Sequence, residues 1–216
     1  MSQLKNNTTK VESTKVENSL KDKVPVRGHF KLETFDKSGK LLDTIEQHNL
    51  VVLGARLHFM KLIAGASDSN KIINRFVLGT DGVAGEDSIP KSEEDGLKAT
   101  LTDLFCKTTD STKRSITYEE INFTPSSNED ITDASNVQDG SNNTSEVKVV
   151  VDETSTEPSI TYVFTIPSDA FNGKNDYMKF NEAGLFAGET LIAIRTFKTK
   201  AKDSSVSMKV TWSLIF

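Results

Sequence analysis

A chain of 216 residues can bury a substantial core, as one large β domain or two small ones, and one domain with appendages is the simpler reading. Its formal net charge of -5, with no Lys/Arg cluster in the portion expected to fold, excludes nucleic acid as the leading partner, because phosphate binding needs concentrated cationic side chains. Cys106 is the single cysteine, which excludes an internal disulfide and a thiolate metal cage; no apolar run approaches the roughly 18 residues of a membrane span.

From Met1 to Val24 the chain is polar, lacks the apolar core of a signal peptide, and repeats Thr9-Lys10-Val11-Glu12-Ser13 as Thr14-Lys15-Val16-Glu17-Asn18. A five-residue period fits neither a helix face nor strand alternation, so the isolated segment is expected to be a disordered tail. In an assembly it becomes an extended arm clamped by neighbouring subunits, with Lys10, Val11, Lys15, Val16 and Leu20 as contact candidates.

Val26 to Phe35 and Leu41 to His48 read as strands joined by Asp36-Lys37-Ser38-Gly39, whose Asp and Gly suit a tight hairpin. Phe30, Leu32 and Thr34 share one face of the first strand. The next stretch, Asn49 to Gly65, is the one convincing helix. Leu50, Leu53, Leu57, Met60 and Ala64 form a stripe, Val52, Phe59 and Ile63 form a second apolar face, Asn49 is placed to cap the start and Gly65 to end it. A helix apolar on most sides is expected to be buried, here as a central post between sheets. Gly54 inside it predicts close approach of a neighbouring backbone.

Ile72 to Gly79 reads as a short strand ended by the turn Gly79-Thr80-Asp81-Gly82, and Leu97 to Phe105 carries helical spacing. Ser115 to Phe123 changes phase between Tyr118 and Ile121, which predicts a bulge or bend. Residues 124–145 turn to Ser, Asn, Asp and Thr, the composition of an outward polar insertion. Val147, Val149 and Val151, then Ile160, Tyr162, Phe164 and Ile166, alternate as two strands. Leu191, Ala193, Arg195 and Phe197 do the same, and Val206, Met208, Val210, Trp212, Leu214 and Phe216 form the clearest pattern, so the chain is expected to end inside its core. The whole predicts a mainly β protein: an arm at 1–24 and a single antiparallel, jelly-roll-like β-sandwich at 25–216 packed around one buried helix. A barrel is the nearest rival.

Chemistry-bearing constellations are weak. His29, His48 and His58 lack a nucleophile elbow, and no pair of them has metal-ligand spacing. Asp133, Ser135, Val137, Asp139 and Gly140 place oxygen donors in the wrong order for a calcium loop. Glu119 and Glu120, as strand neighbours, point to opposite faces and cannot flank one glycosidic bond. Trp212, Tyr118, Tyr162 and Tyr177 could form a sugar-stacking platform, but Trp212 is in phase with five other apolar residues of the last strand, which makes core the default for it. No catalytic, cofactor or metal residues are assigned, and the expectation is a protein without enzyme activity.

Two blocks carry a resemblance. Glu46-Gln47-His48-Asn49-Leu50-Val51-Val52 leading into a helix, followed by Phe76-Val77-Leu78-Gly79-Thr80-Asp81-Gly82, resembles the opening of tailed-bacteriophage virion proteins of the tail-fibre-attachment and baseplate type. Asn181-Glu182-Ala183-Gly184-Leu185-Phe186, then Leu191 to Phe197, then Val210-Thr211-Trp212 to Phe216, resembles their ending. Residues 83–179 do not match clearly. The resemblance implies a structural or adaptor subunit of a virion tail, baseplate or neck, assembled in the host cytoplasm and contacting other virion proteins and copies of itself, without membrane insertion. The alternative is a carbohydrate-binding receptor module of a tail or head fibre, touching cell-surface glycan through its loops. A glycan-cleaving enzyme is a third reading and would need two converging carboxylates. All of this is expected to rest on the buried helix; a helix lying outside in water would remove that support.

Overall fold

Alternating side chains put one face of each strand inward, and the sheet that results holds almost every regular element. A computed structural model describes residues 26–66, 72–84, 89–91, 103–106, 118–123, 145–173 and 175–216. The expected arm at 1–24, with Lys10, Val11, Lys15, Val16 and Leu20, lies outside these residues. So do the helical residues expected at Leu97 and Leu101, the oxygen-rich stretch at 133–140, and the polar insertion apart from Ser145.

The described elements are β1 (Arg27–Asp36), β2 (Leu41–Val51), α1 (Leu53–Ile63), β3 (Arg75–Gly79), β4 (Val83–Ala84), β5 (Ile89–Pro90), β6 (Tyr118–Asn122), β7 (Glu146–Asp152), β8 (Ser159–Ile166), β9 (Met178–Ala187), β10 (Thr190–Lys202) and β11 (Val206–Ile215). One nine-stranded antiparallel sheet runs β6-β3-β9-β10-β2-β1-β11-β8-β7, and β4 pairs with β5 separately. β2 pairs with β1 along most of its length but with β10 only through Leu50 and Val51, so it is the corner where the sheet turns. The two halves then face each other: Phe76 of β3 stacks on Phe164 of β8 with ring centroids 4.3 Å apart, although those strands stand near opposite ends of the order. This is a mainly β, sandwich-like fold made by curling one sheet.

The main core contains Phe30, Leu32, Phe76, Ile121, Phe164, Leu185, Phe197, Val210, Trp212 and Leu214, all buried. A smaller core of Val52, Val77, Leu104, Cys106, Phe186, Leu191 and Ile194 covers the outer side of the β3-β9-β10 region. Burial on both faces explains why β9 is apolar or small through almost its whole length. The β1–β2 hairpin forms as expected: the Asp36 carboxylate accepts from the Ser38 and Lys40 backbone N–H groups, and Gly39 takes a φ of 81° that suits glycine.

Five expectations are corrected. The helix is not a buried post. Leu53, Leu57, Met60, Leu62 and Ile63 are exposed, Ile63 at 89%, and only Ala55 and His58 of the helix are buried. What seats α1 is its small side: a Cβ on Gly54 would lie 3.1 Å from the Leu191 carbonyl oxygen, so the close approach expected at Gly54 is real and it selects the face that packs. Asn49 does not cap the helix. Leu50 and Val51 continue β2 by pairing with Ile194 and Ala193, and Val52 precedes the first turn with no side-chain cap. Asn49 instead lies over Gly28, where a side chain would collide with it. The end is as expected: Gly65 has a φ of 66°, and the Ala66 and Gly65 N–H groups donate to the Lys61 and Leu62 carbonyls, closing a Schellman motif.

The phase change in β6 is not a bulge, since Arg75 to Gly79 pairs with Asn122 to Tyr118 without a slip. Tyr118 packs on the small core while Ile121 and Phe123 enter the main one. In β10 the strict alternation fails, because register shifts between Leu191 and Ala193 and between Thr196 and Lys200. Leu191 and Ile194 therefore join the small core, and Ile192, Ala193 and Phe197 the main one. Finally, Phe216 is 41% exposed rather than buried, its ring resting on Phe59 at 5.9 Å; the core stops at Leu214.

Candidate functional site

The turn that follows β3 must be held down by something, because its backbone N–H groups point away from the ladder and need acceptors. Asn181 and Glu182, adjacent on β9, supply them. The Asn181 Oδ1 accepts from the Gly82 N–H at 2.6 Å. The Glu182 carboxylate accepts from the N–H groups of Asp81 at 3.2 Å, Phe105 at 2.8 Å and Cys106 at 2.8 Å. One buried acid thus ties two distant loops to the sheet. Glycine at position 79 is required: a Cβ there would sit 2.6 Å from both the Cys106 Sγ and the Glu182 Oε1.

The rest of the Asn-Glu-Ala-Gly-Leu-Phe segment follows the strand period. Ala183 and Leu185 face the main core, while Phe186 faces the small one, and a Cβ on Gly184 would collide with Leu104 at 2.7 Å. Outside this layer, the Arg75 guanidinium lies 4.7 Å over the Phe186 ring. The Lys91 ammonium reaches Asp81 at 3.0 Å and sits 4.9 Å over the Phe105 ring.

Burial raises the Glu182 carboxyl above its ordinary value, opposed by hydrogen bonds from Cys106 and the backbone donors. Burial and the neighbouring Glu182 charge push the Cys106 thiol up. A thiol held protonated is a weak nucleophile, so this pair has the chemistry of a structural lock.

Of the residues singled out from the sequence, Gly79 and Asn181 to Phe186 come together here. Asn49 and Trp212 do not join them. Trp212 is fully buried in the main core, edge-on to Phe30 at 5.0 Å and to Phe76 at 6.4 Å. Phe171 is also buried, and Tyr177 is half exposed with the Lys179 ammonium 5.9 Å above its ring. His29 and His48 meet edge-on at 6.2 Å, and His29 Nε2 lies 3.3 Å from a Glu46 oxygen. On the outer face of the sheet, His29, Ser155, Thr156, Glu157, Ser159, Ser213 and Ile215 line an open polar groove of about 280 Å³. Among the described residues, no group of three or more His, Cys, Asp and Glu side chains is placed to hold a metal ion, and no helix is long and apolar enough to cross a membrane.

Sequence reasoning missed Lys202. It is fully buried and donates to the Ser168 carbonyl at 3.0 Å, the Asn172 Oδ1 at 2.7 Å and the Asp203 carbonyl at 3.0 Å, fastening the turn after β8. Burial pulls its pKa down from 10.5 to about 8. Between those values the unfolded chain holds a proton the folded chain releases, so this residue's contribution to stability grows as pH rises through that window. A charged residue at the end of a strand carries no pattern that announces burial; the cue lies only in the polar turn it fills. Comparison with protein-family models, curated proteins and solved structures found no match.

Proposed function

We propose that this chain is a non-enzymatic structural or adaptor subunit of a tailed-bacteriophage particle, located in its tail, baseplate or neck, and that it joins components through contacts repeated over many copies. The buried post expected from the sequence no longer supports the reading, because α1 lies outside. The observation that carries it instead is that two blocks of the resemblance, about a hundred residues apart, are stitched into one unit where Asn181 and Glu182 hold the turn from Gly79 to Gly82. The residues that carry the resemblance are those that fix this local architecture. The outward apolar face of α1 supplies contact surface, and repetition makes modest single contacts sufficient.

The carbohydrate-binding alternative draws on the hydroxyl-lined groove beside His29, but none of the residues lining that groove is the Trp, Tyr or Phe on which a sugar stacks best. Phe171 and Trp212 are buried in the core and offer none.

The test is fractionation. Particles from a host producing the full chain are banded on a density gradient and analysed by mass spectrometry, beside a variant lacking residues 1–24. The full chain is expected to co-migrate with particles, and the shortened chain to fold yet remain in the soluble fraction. Particles complete and infectious without the chain would refute the proposal.

A further inference from the structure

α1 presents to solvent the side chains that a helix normally hides. Leu53, Leu57, Met60 and Ala64 follow one another in steps of four, three and four residues, the spacing of a coiled-coil seam, and all are exposed. Ile63, at the flank, widens the stripe. Together these residues expose roughly 500 Å² of mainly apolar surface, the size at which a patch on a soluble protein marks a docking site. The stripe is held in place from behind: Gly54, Ala55 and His58 seat the helix on the sheet, and the Schellman motif at Gly65 fixes its end. The surface is therefore preformed, and a partner would not have to order it.

The charges beside the stripe select the partner. In seam registry Arg56 and Lys61 occupy the two flanking positions, both are exposed, and no acidic residue lies in Leu53–Ile63. A second copy docked helix to helix would set these cations against each other. In a parallel pair Arg56 would meet Lys61, and in an antiparallel pair each would meet its own equivalent. A helix with Asp or Glu at its flanks would neutralise both while filling the seam.

We infer that the outer face of α1 docks an acidic amphipathic helix of a different protein, about three turns long, with apolar residues at alternating three- and four-residue steps. The inference deepens the assembly reading by naming the partner's chemistry, and its test needs no particle.

The probe is a synthetic helical peptide with a Leu seam flanked by Glu, compared with the same peptide flanked by Lys. Binding to the full chain is measured by fluorescence anisotropy at low and high salt, beside sedimentation of the chain alone and flotation with phosphatidylglycerol vesicles. The Glu peptide is expected to bind at least about tenfold more tightly than the Lys peptide, and to weaken as salt rises. A chain carrying Leu57→Glu and Met60→Glu should melt as the wild type does and lose the binding. Equal affinity for both peptides, no binding of either, self-association through the stripe, or a preference for vesicles would each overturn the inference. The assembly reading stands or falls separately, on whether the chain travels with particles.

Discussion

A chain ending at Lys209 is expected to lose cooperative folding altogether. β11 lies between β1 and β8, so removing Val210 to Phe216 strips hydrogen-bonding partners from both. It also removes Val210, Trp212 and Leu214 from the centre of the main core. Losing a buried Trp alone costs about 3–5 kcal/mol and each buried aliphatic about 2–4 kcal/mol, a sum that reaches the whole net stability of a typical domain. Phe216 contributes little to that total, since its ring is partly in water against Phe59. Deleting Phe216 alone should therefore cost only about 1–2 kcal/mol, from the covered part of its ring and its N–H bond to the Pro158 carbonyl. Thermal melting followed by circular dichroism separates the two cases. A soluble product ending at Lys209 with a sharp transition would show that the sheet does not depend on β11.

Glu182→Ala is expected to destabilise the chain by about 2–4 kcal/mol, because the buried Cys106 N–H and the part-buried N–H groups of Asp81 and Phe105 all lose their acceptor. The damage should be local before it is global. With the Cys106 loop released, the thiol should react with a maleimide far faster than in the wild type, where it is buried. Glu182→Gln keeps one acceptor oxygen but turns an NH₂ toward donors, and should fall between the two. The pH dependence has a definite sign. Since the folded carboxyl is raised above its ordinary 4.5, its contribution is fully present below that value and declines as pH rises through the raised one. The Gln variant should lack that decline. Unchanged urea midpoints and a still-protected thiol in the Ala variant would mean the lock carries no load.

The parts legible from sequence were those in which a single face is buried. β1, β8 and β11 alternate because one side of each meets the main core, and the Asp36 to Gly39 turn is written in its own residues. Where both faces are covered, alternation stops being informative. The change of phase from Tyr118 to Ile121 then looks like a bulge, and the true slip near Ile192 passes unnoticed.

The helix failed for a different reason. An apolar stripe is ordinarily the buried one, and nothing in the pattern says that Leu53, Leu57 and Met60 are kept for another molecule while Gly54 and Ala55 do the packing. Gly54 held the relevant cue, because a glycine inside a helix costs about 1 kcal/mol relative to alanine and so signals a close backbone. The Glu182 lock was legible only as a string of motif residues; its donors lie 76 to 101 residues away in the chain, beyond the reach of any local pattern.

The assembly role and the outward face of α1 meet in one observable, which is what covers that face when the chain is at work. Electron microscopy of the intact particle, at a resolution that traces side chains, reads it directly. Repeated copies are expected in the tail, baseplate or neck, each with Leu53, Leu57, Met60 and Ile63 packed under a helix of another component. Copies whose stripe stands bare in solvent throughout, or a particle without this chain, would contradict this.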